Sequence, residues 1–410
     1  MATTATTTMS STSATTTTAG VISLNTDKKA AVESTEPKFP DVNTIRKAIP
    51  AYCFQPTVAR SMSYVVRDLA LAGALVYGAL TFIPQLSNPW ARAAAWAAYT
   101  FAQGLVGTGL WILAHECGHG AFSLHRGVND TVGWALHSLL GVPYFSWKFS
   151  HARHHQFTGH MHKDMAFVPA TREDHERKRA TQWWHSDLLE DAPAFVLVKL
   201  LAHQLFAWPT YLLFNVSSGP RSLQPNKNTA WYRISHFDPF SAVFRPNEAI
   251  FILLSDIGLG LVGLGLYLAA QQLDAQTVFL LWGIPWFWVH HWLIAITYLH
   301  HNHPDVKHYD ENGWTFVKGA LATVDRDFGW IDRHLFHGII GTHVVHHLFA
   351  RIPFYYAEDA TEAIKPMLGD LYHQEKGSFY GDLWTTFNHC KYVENDPAMP
   401  GVMKWNKRTA

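Results

Sequence analysis

Three clusters of histidines are the part of this sequence whose residue types and spacing could do chemistry. The spacing is i,i+4 in the first cluster and i,i+3,i+4 in the other two. On a helix such spacing places the imidazoles of one cluster on one face, about one turn apart, so each cluster could bind a metal through several nitrogens. The clusters read HECGH at 115–119, HARHH at 151–155 and HVVHH at 343–347.

The number of imidazoles indicates more than one metal. The clusters supply eight, and HHNH at 300–303 offers a ninth, whereas the whole chain has only three cysteines. Eight or nine imidazoles exceed the needs of one four-coordinate zinc. Imidazole ligation with open positions suits iron and oxygen chemistry, so we predict two metals. Isolated histidines such as His137, His203 and His389 are interpreted as structural hydrogen-bonding groups.

The first cluster also matches a rival motif. His115-Glu116-x-x-His119 is the HExxH pattern of zinc metallopeptidases, in which two histidines bind zinc and the glutamate is the general base. Such a site needs only one more protein ligand, so both HxxHH clusters would be left without a role. We therefore expect Glu116 to support the metal site. Its replacement by glutamine should leave metal content largely intact.

Apolar blocks of membrane-spanning length position these clusters. The predicted spans are 69–86 and 93–114, joined by a short turn, and 250–273 and 276–299, joined by another. Two further apolar stretches, 132–145 and 200–216, are interpreted as interfacial or re-entrant segments, because a single extra crossing at 200–216 would separate the histidine clusters. The sequence thus predicts an all-α integral membrane protein with four transmembrane helices in two hairpins plus interfacial helices.

The distribution of charge gives the orientation and the ends of the chain. Lysines and arginines are concentrated between Lys148 and Arg179 and nearly absent from the hairpin turns, so the long segments and both termini are predicted to be cytosolic. Charges balance at 32 basic and 32 acidic side chains, which gives no nucleic-acid signature. Residues 1–45 are predicted to be a disordered Thr/Ser-rich tail, 46–400 one domain and 401–410 a short C-terminal tail.

At these residues the chain resembles the membrane fatty acid desaturases of the histidine-box superfamily. HECGH, HARHH and HVVHH match the three boxes of that family in order, spacing and relation to the spans. The flanking stretches at 159–169, 296–310 and 319–349 are similar to fungal delta-12 and omega-3 (delta-15) acyl-lipid desaturases. The resemblance covers about residues 50 to 400.

This resemblance implies a mushroom-like fold, with four spanning helices under a cytosolic helical cap that holds a di-iron site. Many relatives carry Gln where this chain has His300, so His300, His301 and His303 are alternatives for the last ligand. His337 is expected to support a ligand. The implied iron ligands are His115, His119, His151, His154, His155, His301, His343, His346 and His347.

The implied reaction uses O2 as co-substrate and introduces a second or third cis double bond, at the delta-12 position, the omega-3 position or both, into an oleoyl or linoleoyl chain. The sequence has no flavin, NAD or fused cytochrome fingerprint. The resemblance therefore implies cytochrome b5 and its NADH-dependent reductase as partners at the endoplasmic reticulum membrane. The basic residues at 172–179 could dock this acidic carrier, or they could form a solvated, lipid-facing surface. The alternatives are a hydroxylase, acetylenase or conjugase of the same fold, an acyl-CoA in place of a phospholipid substrate, and a non-enzymatic metal transporter or sensor.

Overall fold

The computed structural model describes residues 38–181, 192–225, 227 and 229–406, which are mainly helical. Residues 1–37 of the predicted tail lie outside the described part. In chain order the helices are α1 (Val42–Ala48), α2 (Val58–Phe82), α3 (Pro89–His119), α4 (Arg126–Leu139), α5 (Tyr144–Phe157), α6 (Arg172–Thr181), α7 (Pro193–Phe214), α8 (Ala249–Leu273), α9 (Ala275–Val278), α10 (Ile284–His301), α11 (Phe316–Ala320), α12 (Gly329–His334), α13 (His343–Leu348), α14 (Ala357–Leu368) and α15 (Phe379–His389).

Five helical segments among these residues are long and apolar enough to cross a membrane. Four of them coincide with the four predicted spans. The fifth is α7, which covers most of the stretch predicted to be interfacial, so by length and composition it is a further candidate. The five segments are Val58–Gln85, Pro89–His119, Pro193–Phe214, Pro246–Leu273 and Ala275–His301, the last containing a π-helical turn at Phe279–Gly283.

Short strands correct the expectation of an all-α fold. In the described residues β1 (His308–Tyr309), β5 (Val402–Trp405) and β4 (Val393–Asn395) form an antiparallel sheet with β5 in the middle. A second, two-stranded sheet pairs β2 (Val324–Arg326) with β3 (His373–Glu375) in parallel. All five strands lie after the last apolar helix in the chain.

Regular secondary structure extends into both predicted tail regions. At the N-terminal side α1 begins at Val42, where the Asp41 carboxylate accepts hydrogen bonds from the backbone N–H groups of Asn43 and Thr44. Ile45, in the same helix, is fully buried. At the C-terminal side β5 pairs with strands on both sides. Apolar burial and strand pairing therefore order Ile45 and the Val402–Trp405 segment.

The histidine helices pack between two apolar clusters. One surrounds Trp111, Trp208 and Trp292 and joins α3, α7 and α10. The other contains Val344 and Val345 of α13, both fully buried. Complete burial of each valine contributes about 1.5–3 kcal/mol. The apolar side of α13 is thus fixed in a core while its histidines face the opposite way.

Candidate metal centre

The histidines of the three sequence clusters, on three helices, come together with His301 on a fourth. α3 supplies His115 and His119 from its last two turns and ends at Gly120, whose left-handed φ of 73° a glycine adopts without strain. The second cluster lies on α5, the third on α13, and His301 is the last residue of α10.

These side chains form two adjacent groups. In the first histidine group, one ring nitrogen of each member lies within 4.8 Å of one nitrogen of every other. In the second histidine group, His154, His301 and His347 meet the same criterion. His343 also belongs to this group, because its Nε2 lies 3.2 Å from the Nε2 of His301. The first group is His115, His119, His151, His155 and His346, and the second is His154, His301, His343 and His347.

The HxxHH spacing explains why there are two groups. Residues i and i+4 of a helix are about 40° apart around the axis, whereas residue i+3 lies about 60° to the other side of residue i. In α5 the i,i+4 pair belongs to the first group and His154 to the second. In α13 the i,i+4 pair belongs to the second group and His346 to the first. Each HxxHH helix therefore contributes to both groups.

Hydrogen bonds at Nδ1 orient the ligands of the second group. The Asp164 carboxylate accepts from His154 Nδ1 at 2.6 Å. The Thr158 hydroxyl donates to the carbonyl of His154, so it accepts from His347 Nδ1 at 3.0 Å. With the proton on Nδ1, both imidazoles present the lone pair of Nε2 to the centre of the group.

Glu116 has a similar place beside the first group. Its Oε1 lies 3.3 Å from His115 Nδ1 and 3.9 Å from His346 Nδ1, and its Oε2 accepts from the backbone N–H of Phe354. The carboxylate is thus on the Nδ1 side of both rings, away from the centre of the group. A peptidase base would have to reach a metal-bound water, so this position matches the expected supporting role.

The nitrogen arrangement fits metal ions. Pairs of Nε2 atoms approach each other closely, at 3.1 Å for His151 and His155 and at 3.3 Å for His154 and His301. The Nε2 atoms of His346 and His347 are buried without a hydrogen-bond partner. Buried lone pairs that converge without donors are costly unless a cation lies between them. Nine imidazoles in two groups therefore suit two metals better than one.

Burial keeps the histidines that lie outside the apolar helices in the form that binds metal. It holds the pKa of His151, His155, His343 and His347 well below the usual range and lowers the pKa of His346 to about 3. Neighbouring imidazoles lower these values further. The rings are consequently neutral at pH 7, as metal ligation requires.

Both groups border a cavity of about 560 Å³. Its walls are mostly apolar and include Trp111, Trp147 and Trp208, while His154 and His301 line the metal side. Several residues of α7, from Ala202 to Tyr211, form one side of it. A cavity of this size and composition is typical of sites for small apolar ligands.

Only one of the three alternatives for the ninth ligand points at the site. His301 is within 3.3 Å of two other ligand nitrogens. His300 instead donates from Nε2 to the carbonyl of Ile340 and stacks on His343, with ring centroids 3.7 Å apart. His303 pairs with Glu375. His337 was expected to support a ligand, but it hydrogen-bonds to Asp68 of α2 instead.

Of the residues that orient the histidine rings, the sequence indicated Glu116 but not Asp164 or Thr158. Asp164 and Thr158 are near the second cluster in sequence, and Thr158 is one turn from His154, which is the signal that could have identified it. A further cluster of His160, His162 and Glu311 also satisfies metal spacing. There the Arg221 guanidinium bonds both His162 and Glu311, so an ion pair already satisfies the cluster.

The fold and site define a membrane-type helical protein with two adjacent histidine groups beside an apolar cavity. The family model for fatty acid desaturases matches residues 93–377. The chain therefore belongs to the fatty acid desaturase family and is an enzyme of lipid metabolism. This membership confirms the resemblance inferred from the boxes and excludes the peptidase and transporter alternatives.

Curated relatives match nearly the whole chain. An oleate hydroxylase of Claviceps purpurea is 42% identical over 386 residues, covering 90% of this chain and 80% of the relative. A Delta(12) fatty acid desaturase of Mortierella alpina is 41% identical over 394 residues, covering 92% and 96%. An omega-6 fatty acid desaturase, endoplasmic reticulum, of Brassica juncea is 40% identical over 371 residues, covering 90% and 92%.

Proposed function

We propose that this enzyme desaturates an acyl chain of a membrane lipid, introducing a second or third cis double bond at the delta-12 or omega-3 position. The observation that carries the proposal is the opening of both histidine groups onto one apolar cavity of about 560 Å³. Relatives named as delta-12 and omega-6 desaturases support it.

The nine histidines of the two groups are proposed to hold two iron ions. When bound, such a pair supplies the activation of dioxygen that is needed to remove hydrogen from an unactivated methylene. Asp164, Thr158 and Glu116 fix the orientation of the rings. The tryptophan-lined walls exclude water and hold the acyl chain, so the position of the new double bond depends on how the cavity places each methylene.

Electrons are proposed to come from cytochrome b5 and its NADH-dependent reductase, with α6 as the docking surface. Arg172 pairs with Glu176 and Glu394, and Arg177 pairs with Asp174. Both arginines are more than half exposed, so these pairs contribute little and can be exchanged for contacts with an acidic carrier. We also propose that the enzyme resides in the endoplasmic reticulum membrane with the metal site and both termini cytosolic.

The function is tested by expression in a yeast that makes only monounsaturated lipids, with oleate and linoleate supplied in separate cultures. Linoleate, linolenate or both should form in cells with the intact chain and not in cells with His154→Ala. Purified intact protein should contain iron. Absence of both products, with protein and iron present, contradicts the proposal.

A second candidate outcome is hydroxylation. It is favoured by the 42% identity to an oleate hydroxylase, which is as high as the identity to the desaturases. Mass spectrometry of the same lipids separates the two outcomes, because a hydroxylase product gains one oxygen whereas a desaturase product loses two hydrogens. Hydroxylated acyl chains as the main product would replace the desaturase proposal.

A further inference from the structure

Strand β2 lies between the two elements that supply most of the second histidine group. It is paired in parallel with β3, and its residues Asp325 and Arg326 are almost completely buried. Two adjacent charged residues at this depth need partners, because an unpaired buried charge is strongly destabilising. Their partners are the ends of the helices that carry the ligands.

The Asp325 carboxylate caps α13. Its Oδ1 accepts from the backbone N–H of Val344 at 2.7 Å, and its Oδ2 accepts from the Tyr372 hydroxyl at 2.6 Å. Thr342, at the N-cap position of α13, makes no side-chain cap of its own. A helix of six residues is too short to be stable without outside contacts. Asp325 therefore supplies the missing cap from another strand.

The Arg326 guanidinium holds the end of α10. Its Nε donates to the carbonyl of Leu299 at 3.2 Å, and one terminal nitrogen donates to Asp382 at 2.6 Å. The carbonyl of Leu299 is among the last four of α10, which have no partner within the helix. The backbone N–H of Arg326 also donates to the carbonyl of Ile340, in the loop that enters α13.

We infer that Asp325 and Arg326 are positioning residues that fix the arrangement of the second histidine group. Side chains of consecutive strand residues point in opposite directions, so one strand can hold α13 on one side and the end of α10 on the other. His301 and the pair His343 and His347 are thereby kept in one arrangement. The inference rests on the proposed two-metal site and adds residues that no histidine motif contains.

The test compares Asp325→Ala with Asp325→Asn in the purified full-length protein. Asparagine has nearly the same shape, and its oxygen can still accept from the α13 backbone while its amide donates to Tyr372. Iron should fall from two per chain in the intact protein to about one in the alanine variant and stay near two in the asparagine variant. EPR should show uncoupled high-spin ferric iron in the alanine variant, which a merely structural residue would not produce.

Two outcomes would overturn the inference. One is a folded alanine variant that keeps two coupled irons, and the other is an asparagine variant that loses as much iron as the alanine variant. A second variant, Tyr372→Phe, is used if the alanine variant does not fold. It removes the hydrogen bond from the Tyr372 hydroxyl to Asp325 and leaves the bond between Asp325 and the backbone of α13. Its iron content should stay within about 20% of that of the intact protein, and loss of one iron there would also contradict the inference.

Failure of the proposed function can be distinguished from failure of this inference. If the intact protein binds no iron, a titration with Co²⁺ alone still counts the sites in the intact and variant chains. Two Co²⁺ sites in the intact protein and one in Asp325→Ala would support the anchoring role without any desaturase activity. Equal Co²⁺ numbers in both would reject it.

Discussion

At the scale of single residues, hydrogen bonds at Nδ1 distinguish ligands from neighbouring histidines. His154 and His347 each have an acceptor at Nδ1 and present Nε2 to the site. His300 has the reverse arrangement, with Nε2 bonded to a backbone carbonyl. The two adjacent histidines at the end of α10 therefore have different roles that spacing alone could not separate.

His300→Gln should keep both metals and most of the activity. A glutamine amide can also donate to the carbonyl of Ile340, and the only loss is the ring stacked on His343. His301→Gln should lower iron from two to about one per chain, because it removes a ligand of the second group. Metal analysis of the two purified variants checks the difference. Equal iron loss in both would mean that His300 also binds metal.

Glu116→Gln should retain the metals, with activity reduced about 10- to 100-fold at most. Glutamine preserves the acceptor for the Phe354 N–H or for one of the ring N–H groups, but not for all of them. Glu116→Ala removes every acceptor and should lose more iron, so it serves as the comparison. Complete metal loss in the glutamine variant would show that the carboxylate charge itself holds the site.

The histidines that lie together in the two groups could be predicted from sequence, whereas of the residues that orient them only Glu116 could. The spacing of histidines at i, i+3 and i+4 predicts the directions of their side chains, because helix periodicity fixes those directions. Asp325 and Arg326 are ordinary charged residues far from α10 in sequence. Their role depends on tertiary packing that brings β2 against two helix ends, and no local pattern records it.

At the scale of elements, α11 packs closely against the end of α5. A Cβ at Gly319 would lie 2.1 Å from the carbonyl oxygen of Thr158, a backbone atom that cannot move aside easily. The hydroxyl of the same threonine orients His347. The absence of a side chain at position 319 is therefore connected to the second histidine group.

Gly319→Ala should destabilise the protein by about 1–3 kcal/mol through this clash and lower its iron content. The matched control is Gly73→Ala in α2, where a Cβ would meet nothing within 4 Å. That variant should leave both properties unchanged. Thermal unfolding in detergent and metal analysis are the measurements. A fully stable, iron-replete Gly319→Ala would show that α11 is displaced from α5 without consequence.

The helix that contains most of the first predicted span begins well before that span. The first span was expected to begin at residue 69, yet α2 begins at Val58. Arg67 and Asp68 ended the apolar block in the sequence. In the structure Asp68 pairs with Arg67 and His337, so the helix continues through both charges. Local hydropathy indicates the apolar block but not where the helix itself begins.

At the scale of the whole molecule, the location of the ligands constrains how often the chain crosses the membrane. α5 precedes α7 in the chain, and α10 and α13 follow it, yet His154, His301 and His347 lie together. If the segments of α8 and α10 cross as a hairpin, a complete crossing by α7 would place α5 on the opposite side from α13. We therefore predict that α7 lies along or partly within the membrane, although its length and composition would allow it to span.

Cysteine labelling in sealed microsomes tests this prediction. Arg126→Cys and Arg233→Cys lie before and after α7 at exposed positions, whereas Trp90→Cys lies at the exposed start of α3, next to the turn that follows α2. The three native cysteines are buried. An impermeant maleimide should label the first two variants from the cytosolic side and Trp90→Cys only after detergent is added. Labelling of only one of the two arginine positions would mean that α7 crosses, and the ligands of α5 and α13 would then have to meet within the bilayer rather than at its surface.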